Sequence, residues 1–368
     1  MGFVNSLQRK CDFIENKVSR TLTSYSEFRN LKKKKSLIDK VELSDEEKKE
    51  IDDFFENNYG KKIDNRWHKL YQSYTGKFQK MYFPEILFST QLEPITNPRR
   101  QAELFGDKNL LYALFGKIEN LHLTKVYISC INGFVRDLNN KPIELETACK
   151  RLVDGKYVIK KTVETSSGRD VLILNVKNGI DIQTKKRVYD ICSEFDCNFC
   201  VQECIKQWHE LNRLYSKALN TFRVITYIVG NEIFVAPLSL RLARGGADRD
   251  NIHYGGIVVG ISDKGELKEK AFSEMGDSYI KHPDTRIAFK GYCISNVKDI
   301  ISVALKCHAS VPWLGILSWD FSLDENGTPV LIELNATGQS AWFPQMCNGE
   351  PLFGEHTAYM LQKIRKRG

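Results

Sequence analysis

Twenty residues near the C-terminus constrain the fold more than any other part of the chain: Ile316-Leu-Ser-Trp-Asp-Phe-Ser-Leu-Asp-Glu-Asn-Gly-Thr-Pro-Val-Leu-Ile-Glu-Leu-Asn335. Two alternating runs flank Asn326-Gly327, a pair suited to the left-handed positions of a two-residue hairpin turn. With those two residues as the loop, Glu325 faces Thr328. One face then pairs Trp319 with Leu334, Phe321 with Ile332 and Leu323 with Val330, all apolar. The opposite face sets Asp320 across from Glu333, and Ser318 across from Asn335. Like charges directly opposite one another destabilise a sheet, and a divalent cation between them would reverse the sign. Two carboxylates and an amide oxygen are hard ligands of the kind Mg²⁺ takes alongside substrate phosphates. The same pair can also stand as two solvated carboxylates that repel weakly, so the register alone leaves both readings open.

Around this hairpin the chain reads as a mixed α+β body behind a helical N-terminal region. In the first forty residues Val4, Leu7, Cys11, Phe13, Ile14, Val18, Tyr25 and Phe28 mostly recur at alternating three- and four-residue steps, the spacing of an apolar helix stripe. Such a helix can pack on its own domain, on a partner or on a membrane surface. A second helix is expected from Ser44, with Glu47 completing a capping box and Ile51, Phe54 and Phe55 giving it an apolar face. The aromatic-rich Trp67–Phe88 stretch is expected to pack this helical region onto the β-rich remainder of the chain.

From about residue 105 short β-rich runs dominate: Val126–Ile131, Tyr157–Lys161, Val171–Leu174, Phe199–Ile205, Phe222–Val229, Ile257–Ile261, Ile316–Leu323 and Pro329–Leu334. Helices are expected over Asn109–Leu121, Val297–Lys306 and His356–Arg365. With 368 residues, two or three domains are expected. The divisions fall at 1–104 (helical), 105–200 and 201–368.

A 42% hydrophobic and 27% charged composition excludes disordered and low-complexity classes. No apolar run approaches the roughly 20 residues of a membrane-spanning helix, and residues 1–10 lack the apolar core of a signal peptide. A cytoplasmic location is therefore expected. The net charge of +8 resides in two clusters of four, Lys32–Lys35 and the Lys363, Arg365, Lys366 and Arg367 group. A balanced remainder argues against a nucleic-acid groove; the basic ends leave peripheral contact with an anionic membrane open. Met1-Gly2 with Ser6 formally matches a myristoylation pattern. Cys192, Cys197, Cys200 and Cys204 mimic a cluster-binding spacing, but the sequence does not oblige them to converge and buried thiols are expected.

Asp320 followed thirteen residues later by Glu333-x-Asn335 resembles the metal signature of the ATP-grasp superfamily. The resemblance implies an ATP-grasp fold, two α+β lobes sandwiching ATP, with Asp320, Glu333 and Asn335 holding Mg²⁺. Tyr157-Val-Ile-Lys160, then Thr165-Ser-Ser-Gly168, resembles the family's phosphate-contacting lysine strand and triphosphate loop. That implies nucleotide contacts from Lys160, Ser166, Ser167 and Gly168. Asp107-Lys108-Asn109 resembles an upstream element whose lysine also meets phosphate, and Phe199–Ile205 resembles the inter-lobe strand that meets adenine, implying Gln202, Glu203 and Ile205.

The run Asn220-Thr-Phe-Arg223, Leu240-Arg241, Asp250-Asn251, Gly255-Gly256, His282-Pro283 and Trp319-Asp320 resembles the sugar-transfer-associated branch. It implies Arg223, Arg241 and Arg244 as catalytic arginines, whose planar guanidinium suits phosphate oxygens. Lys161 stands where a proline is common, Arg169-Asp170 replaces a more glycine-rich loop end, and Ser318 stands where some peptide-forming relatives carry arginine.

The resemblance implies an ATP- and Mg²⁺-dependent carboxylate–amine ligase working through an acyl phosphate, with a uronic-acid sugar or amino acid as carboxylate in surface-polysaccharide biosynthesis. A phosphotransferase to a sugar hydroxyl and a non-enzymatic peripheral membrane or assembly protein are the alternatives. The sequence carries no signal for oligomeric state.

Overall fold

The computed structural model describes residues 2–163 and 171–367, with side chains from Lys17 onward. The expected triphosphate loop, with Ser166, Ser167 and Gly168, lies outside the described residues, as does Met1 of the myristoylation pattern.

Helices Gly2–Lys33, Lys35–Ile38, Asp45–Tyr59 and Arg66–Thr75 open the chain. Asp45–Tyr59 begins as the capping box dictates: Glu47 N–H donates to Ser44 Oγ (3.1 Å) and Ser44 N–H donates to Glu47 Oε2 (2.8 Å). Ser44→Ala is expected to cost about 1 kcal/mol, read as a lowered urea midpoint with unchanged slope. The expected Asn109–Leu121 helix is much shorter, Leu111–Phe115 after a single tight turn at Lys108–Leu110. Gly116 ends it, and Asn120, at φ 60°, redirects the chain into the first strand.

Among the described residues, fifteen strands and further helices follow. The strands are β1 His122–Leu123, β2 Val126–Ile131, β3 Phe134–Asp137, β4 Gly155–Lys161, β5 Val171–Lys177, β6 Ile180–Asp181, β7 Phe199–Glu203 and β8 Thr221–Val229. Next come β9 Glu232–Val235, β10 Leu238–Leu242, β11 Ile257–Ile261, β12 Leu267–Phe272, β13 Ser278–Tyr279, β14 Ile316–Leu323 and β15 Pro329–Asn335. Six form a smaller sheet in the order β3-β2-β7-β4-β5-β6; the rest form a larger sheet, β1-β15-β14-β8-β10-β11-β12-β13, with β9 on β8. β7 stops at Glu203, two residues short of expectation, because the chain then crosses to the larger sheet and Gln207 bridges Asp324.

One face of the larger sheet carries Trp319, Phe321, Leu334, Val224 and Leu240, packed with Ile300, Val303 and Cys307 of helix Val297–Ser310. On the other face, Ile225, Tyr227 and Ile316 pack against Ile51, Phe55, Phe83 and Phe88 from the N-terminal helices and against Met360, Leu361 and Ile364 near the C-terminus. Val258 and Phe272 of that sheet pack with Trp67, Tyr71 and Trp342. The N-terminal helices thus share their cores with the larger sheet. Between these two apolar clusters the same face stays polar. No helix among the described residues is long and apolar enough to cross a membrane.

Candidate nucleotide and metal site

The polar band is a consequence of strand register. Asp320 pairs with Glu333 on one side and Arg223 on the other; Ser318 pairs with Asn335; Arg223 pairs with Ser239 and Thr221 with Arg241. Directly opposed residues share a face, so these side chains form one stripe across four strands. The expected pairing at Asp320 and Ser318 is present, but by a different route. The hairpin loop is longer than Asn326-Gly327, since Asp324 N–H donates to Thr328 O and Gly327 N–H to Asp324 O. Phe321 therefore pairs with Leu331, not Ile332, and Leu323 with Pro329, not Val330. A bulge opposite the Asp320–Phe321 step then restores the register.

The like-charge opposition of Asp320 and Glu333 is relieved by the protein's own cations. Arg223 Nε donates to Asp320 Oδ1 (2.6 Å) and Arg241 Nη2 to Asp320 Oδ2 (3.0 Å), while Lys108 Nζ lies 2.9 Å from Glu333 Oε1. Neither reading of the pair, cation-bridged or solvated, included these three partners. Burial alone would raise the Asp320 pKa; the two guanidinium groups outweigh it and hold the carboxyl below its ordinary value. Arg241 also donates to Thr221 Oγ1 (2.9 and 2.6 Å), whose hydroxyl donates to Asp250.

Lys160, on β4 of the smaller sheet, is buried, and its ammonium makes no hydrogen bond or ion pair among the described residues. Burial depresses its pKa; the charge of Lys108 adds to this, and Cys200 and Glu333 offset it only in part. Lys108 N–H donates to Thr162 O (3.2 Å), tying the two lysine-bearing segments together. Among the described residues, Thr162 Oγ1, Ser239 Oγ and Asn335 Nδ2 are buried polar atoms without a hydrogen-bond partner. Native interiors rarely leave such groups unpaired unless an ion, water or ligand completes them. Rotation of the Asn335 amide by a half-turn presents its oxygen where Nδ2 stands, beside the two carboxylates. By chemistry Asp320, Glu333 and Asn335 are hard oxygen donors of the kind a divalent cation takes, with both Asp320 oxygens here accepting from Arg223 and Arg241.

The remaining expected residues divide. Gln202 is buried on β7 and lies on the same face as Lys160, through the pairings Lys160–Cys200 and Val158–Gln202. Ile205 lies beyond the strand end. Glu203 is already engaged: its Oε1 accepts from Lys125 N–H (2.7 Å) and its N–H donates to Lys125 O (2.9 Å). Arg244 is not gathered with the other arginines; it donates to Gly255 O (2.6 Å) and to the Tyr279 hydroxyl (2.7 Å). Cys149, Cys192, Cys197, Cys200 and Cys204 are all free thiols.

Three contributions escaped sequence reading. Glu93, buried on the 93–96 helix, accepts from Gly338 N–H (3.1 Å) and Gln339 N–H (2.9 Å), and burial pushes its pKa up to about 7. Asn97 donates to Ile316 O (2.6 Å) and Ala336 O (2.7 Å), pinning the ends of both hairpin strands. His122 joins the sheets, with Nε2 2.8 Å from Glu203 Oε1 and Nδ1 2.9 Å from Asp324 Oδ2. With both ring nitrogens donating, the bond to Glu203 chiefly raises its pKa to about 9.

The folded-state pKa of His122 exceeds the ordinary value, so its stabilisation is complete below about pH 6.5 and fades as pH rises through about 9. The thermal-midpoint gap between wild type and His122→Gln is expected to shrink across that window; a pH-independent gap would contradict the charged bridge.

A sequence profile described as sugar-transfer associated ATP-grasp matches residues 87–364. No curated protein matches the chain. Among solved structures, an L-amino acid ligase from Bacillus licheniformis is 13% identical with a TM-score of 0.41, over 72% of this chain and 48% of that one. D-alanyl-alanine synthetase A from Vibrio cholerae is 14% identical at TM-score 0.40, over 73% and 66%. The VanG D-Ala:D-Ser ligase from Enterococcus faecalis is 16% identical at TM-score 0.41, over 72% and 62%. The chain thus spans about half the length of the first of these proteins.

Proposed function

The chain belongs to the sugar-transfer associated ATP-grasp family, and from that premise we propose that it is an ATP-dependent ligase joining a carboxylate to an amine. The observation that carries this reading is Lys160: a buried lysine that makes no hydrogen bond or ion pair among the described residues, near enough to Lys108 and Glu333 to feel both charges. A polyphosphate supplies the missing negative charge.

In this reading Lys108 and Lys160 hold the phosphates, and Asp320, Glu333 and Asn335 would hold Mg²⁺, which when bound offsets phosphate charge. Arg223 and Arg241 face the transferring group, where fixed cations stabilise charge that develops in the transition state. A carboxylate oxygen of the substrate attacks the γ-phosphorus, the bond to the β-phosphate oxygen breaks and ADP leaves. The amine nitrogen then attacks the acyl carbon, inorganic phosphate departs, and the nitrogen loses a proton to solvent. We assign Gln202, buried on the Lys160 face of β7, to the nucleotide base. Arg244, bound at Tyr279, is assigned to the rim and contacts the carboxylate substrate. We assign residues 105–200 and 201–368 to the two lobes, residues 1–104 to a helical flank and the reaction to the cytoplasm, where ATP is available. A uronic-acid sugar is the preferred carboxylate, in surface-polysaccharide synthesis.

An ADP-release screen with amino acids and uronic-acid sugars, alone and paired, tests the reading. Release that requires a carboxylate, with hydroxamate formed when hydroxylamine replaces the amine, is expected. Release with a sugar alone and a stable phosphoester product would sink the ligase in favour of a phosphotransferase.

A further inference from the structure

The end of helix Gly2–Lys33, helix Arg66–Thr75 and Trp342 enclose a cavity of about 50 Å³ that shares no residue with the polar stripe. Three glutamates line it, Glu27, Glu85 and Glu274, with Lys34 and His253 as the basic groups. Both bases serve Glu274: Lys34 Nζ lies 3.2 Å from its Oε1, and His253 Nδ1 2.8 Å from its Oε2. Lys34 Nζ is also held 4.4 Å from the centroid of the Trp342 ring. Glu27 and Glu85 make no ion pair among the described residues. Glu85 is 4% exposed and accepts from Ala341 N–H (2.9 Å). Burial raises the pKa of both carboxyls; the charge of Glu27 adds to the rise at Glu85, and Lys34 offsets that at Glu27 only in part. The pair lacks a counter-charge. A second group in the wall is also unmet. Trp67 is 3% exposed, and its Nε1–H is buried without a hydrogen-bond partner among the described residues. An indole N–H can only donate, and native interiors seldom leave one unpaired.

We propose that this cavity binds a small amino alcohol, with its ammonium at Glu27 and Glu85 and its oxygen at Trp67 Nε1. Charge selects the amine: two carboxyls without a counter-ion favour a cation, and an ammonium brings several donors for their oxygens. A metal ion is the poorer occupant, since no group of three or more His, Cys, Asp or Glu side chains is placed to hold one among the described residues. The indole selects the oxygen, because a bare alkylamine leaves Nε1–H unmet. That oxygen is a neutral one. A carboxylate there, as in an amino acid, adds a negative charge beside three glutamates, and both neighbouring bases are already engaged. Volume selects the length. A buried water takes about 10–15 Å³ of such a space, so the cavity suits a ligand of roughly four non-hydrogen atoms, the size of ethanolamine. His253 is exposed, which leaves the cavity a route to solvent. This inference does not depend on the enzymatic reading.

Calorimetric titration of the full chain with ethanolamine is expected to show saturable one-site binding, and the thermal midpoint should rise with ethanolamine concentration. Ethylene glycol lacks the charge, ethylamine lacks the oxygen and glycine adds a carboxylate; each should bind more weakly, by about three-fold or more. Glu27→Gln should weaken ethanolamine binding roughly ten- to a hundred-fold. The thermal midpoint of the free variant should not fall, because the carboxyl has no ion pair to lose. Trp67→Phe keeps an aromatic ring and removes the donor, and should weaken binding about three- to ten-fold. Should Trp67→Phe not fold, Glu27→Gln decides alone. Wild type that takes up no ethanolamine, or binding indifferent to Glu27→Gln, would overturn the proposal. So would ethylamine, ethylene glycol or glycine binding as well as ethanolamine, which would assign the cavity to another class of ligand.

Discussion

Asp320→Asn is expected to destabilise the protein by about 3–5 kcal/mol, more than any other single substitution in the polar band. Asp320 is 4% exposed and is the shared anion of Arg223 and Arg241. Asparagine keeps the volume and removes the charge, so two largely buried guanidinium groups lose their common counter-ion. A buried charge left uncompensated costs far more than the intact pair contributes. The effect carries a pH signature. The folded-state pKa of Asp320 lies below its ordinary value, so its stabilisation is present above about pH 4 and is lost as pH falls through the folded value. Wild type and variant should therefore converge in stability as acid is added. Urea denaturation at neutral and acidic pH measures this, and a loss under about 1 kcal/mol at neutral pH would mean that the arginines find other partners.

Lys160→Met is expected to do the opposite to stability and the most harm to nucleotide affinity. An ammonium buried without a partner costs free energy in the free protein, so methionine, of similar length, should stabilise it by about 1–3 kcal/mol. A charge-assisted contact to phosphate contributes about 1.5–3 kcal/mol, so ATP should bind roughly ten- to a hundred-fold more weakly. A lysine kept for packing alone would show neither change, and one satisfied by an anionic side chain would show destabilisation. The combination, a more stable protein that binds ATP worse, belongs to a site built for an absent anion.

The parts of this fold that were legible in the sequence are those fixed by periodicity and turn chemistry. β2, β11 and β14 end where their apolar alternation ends, and the Ser44–Glu47 cap starts its helix. The facing of Asp320 and Glu333 was legible because their side chains must alternate with Trp319 and Leu334, which the core claims. The loop length was not: Asp324 accepts from both Asn326 N–H and Thr328 N–H, and this capping makes a longer turn whose offset a bulge must cancel. Strands β1, β6 and β13 have two residues each, too short for any alternation, and exist because longer neighbours recruit them. The neutralisation of the carboxylates was also hidden. Lys108, Arg223 and Arg241 all lie far in the chain from Asp320 and Glu333, and only the folded sheets bring their charges together. Glu93 and Asn97, on the helical region, hold the backbone at the end of β15 and just beyond it, a role no local pattern marks.

The most direct measurement is calorimetric titration of the wild-type protein and of Lys160→Met with ATP in the presence of Mg²⁺. Saturable one-site binding by wild type, weakened at least about ten-fold in the variant, is the result expected. Wild type that takes up no ATP, or binds it as well without the lysine, would contradict a nucleotide site between the two sheets.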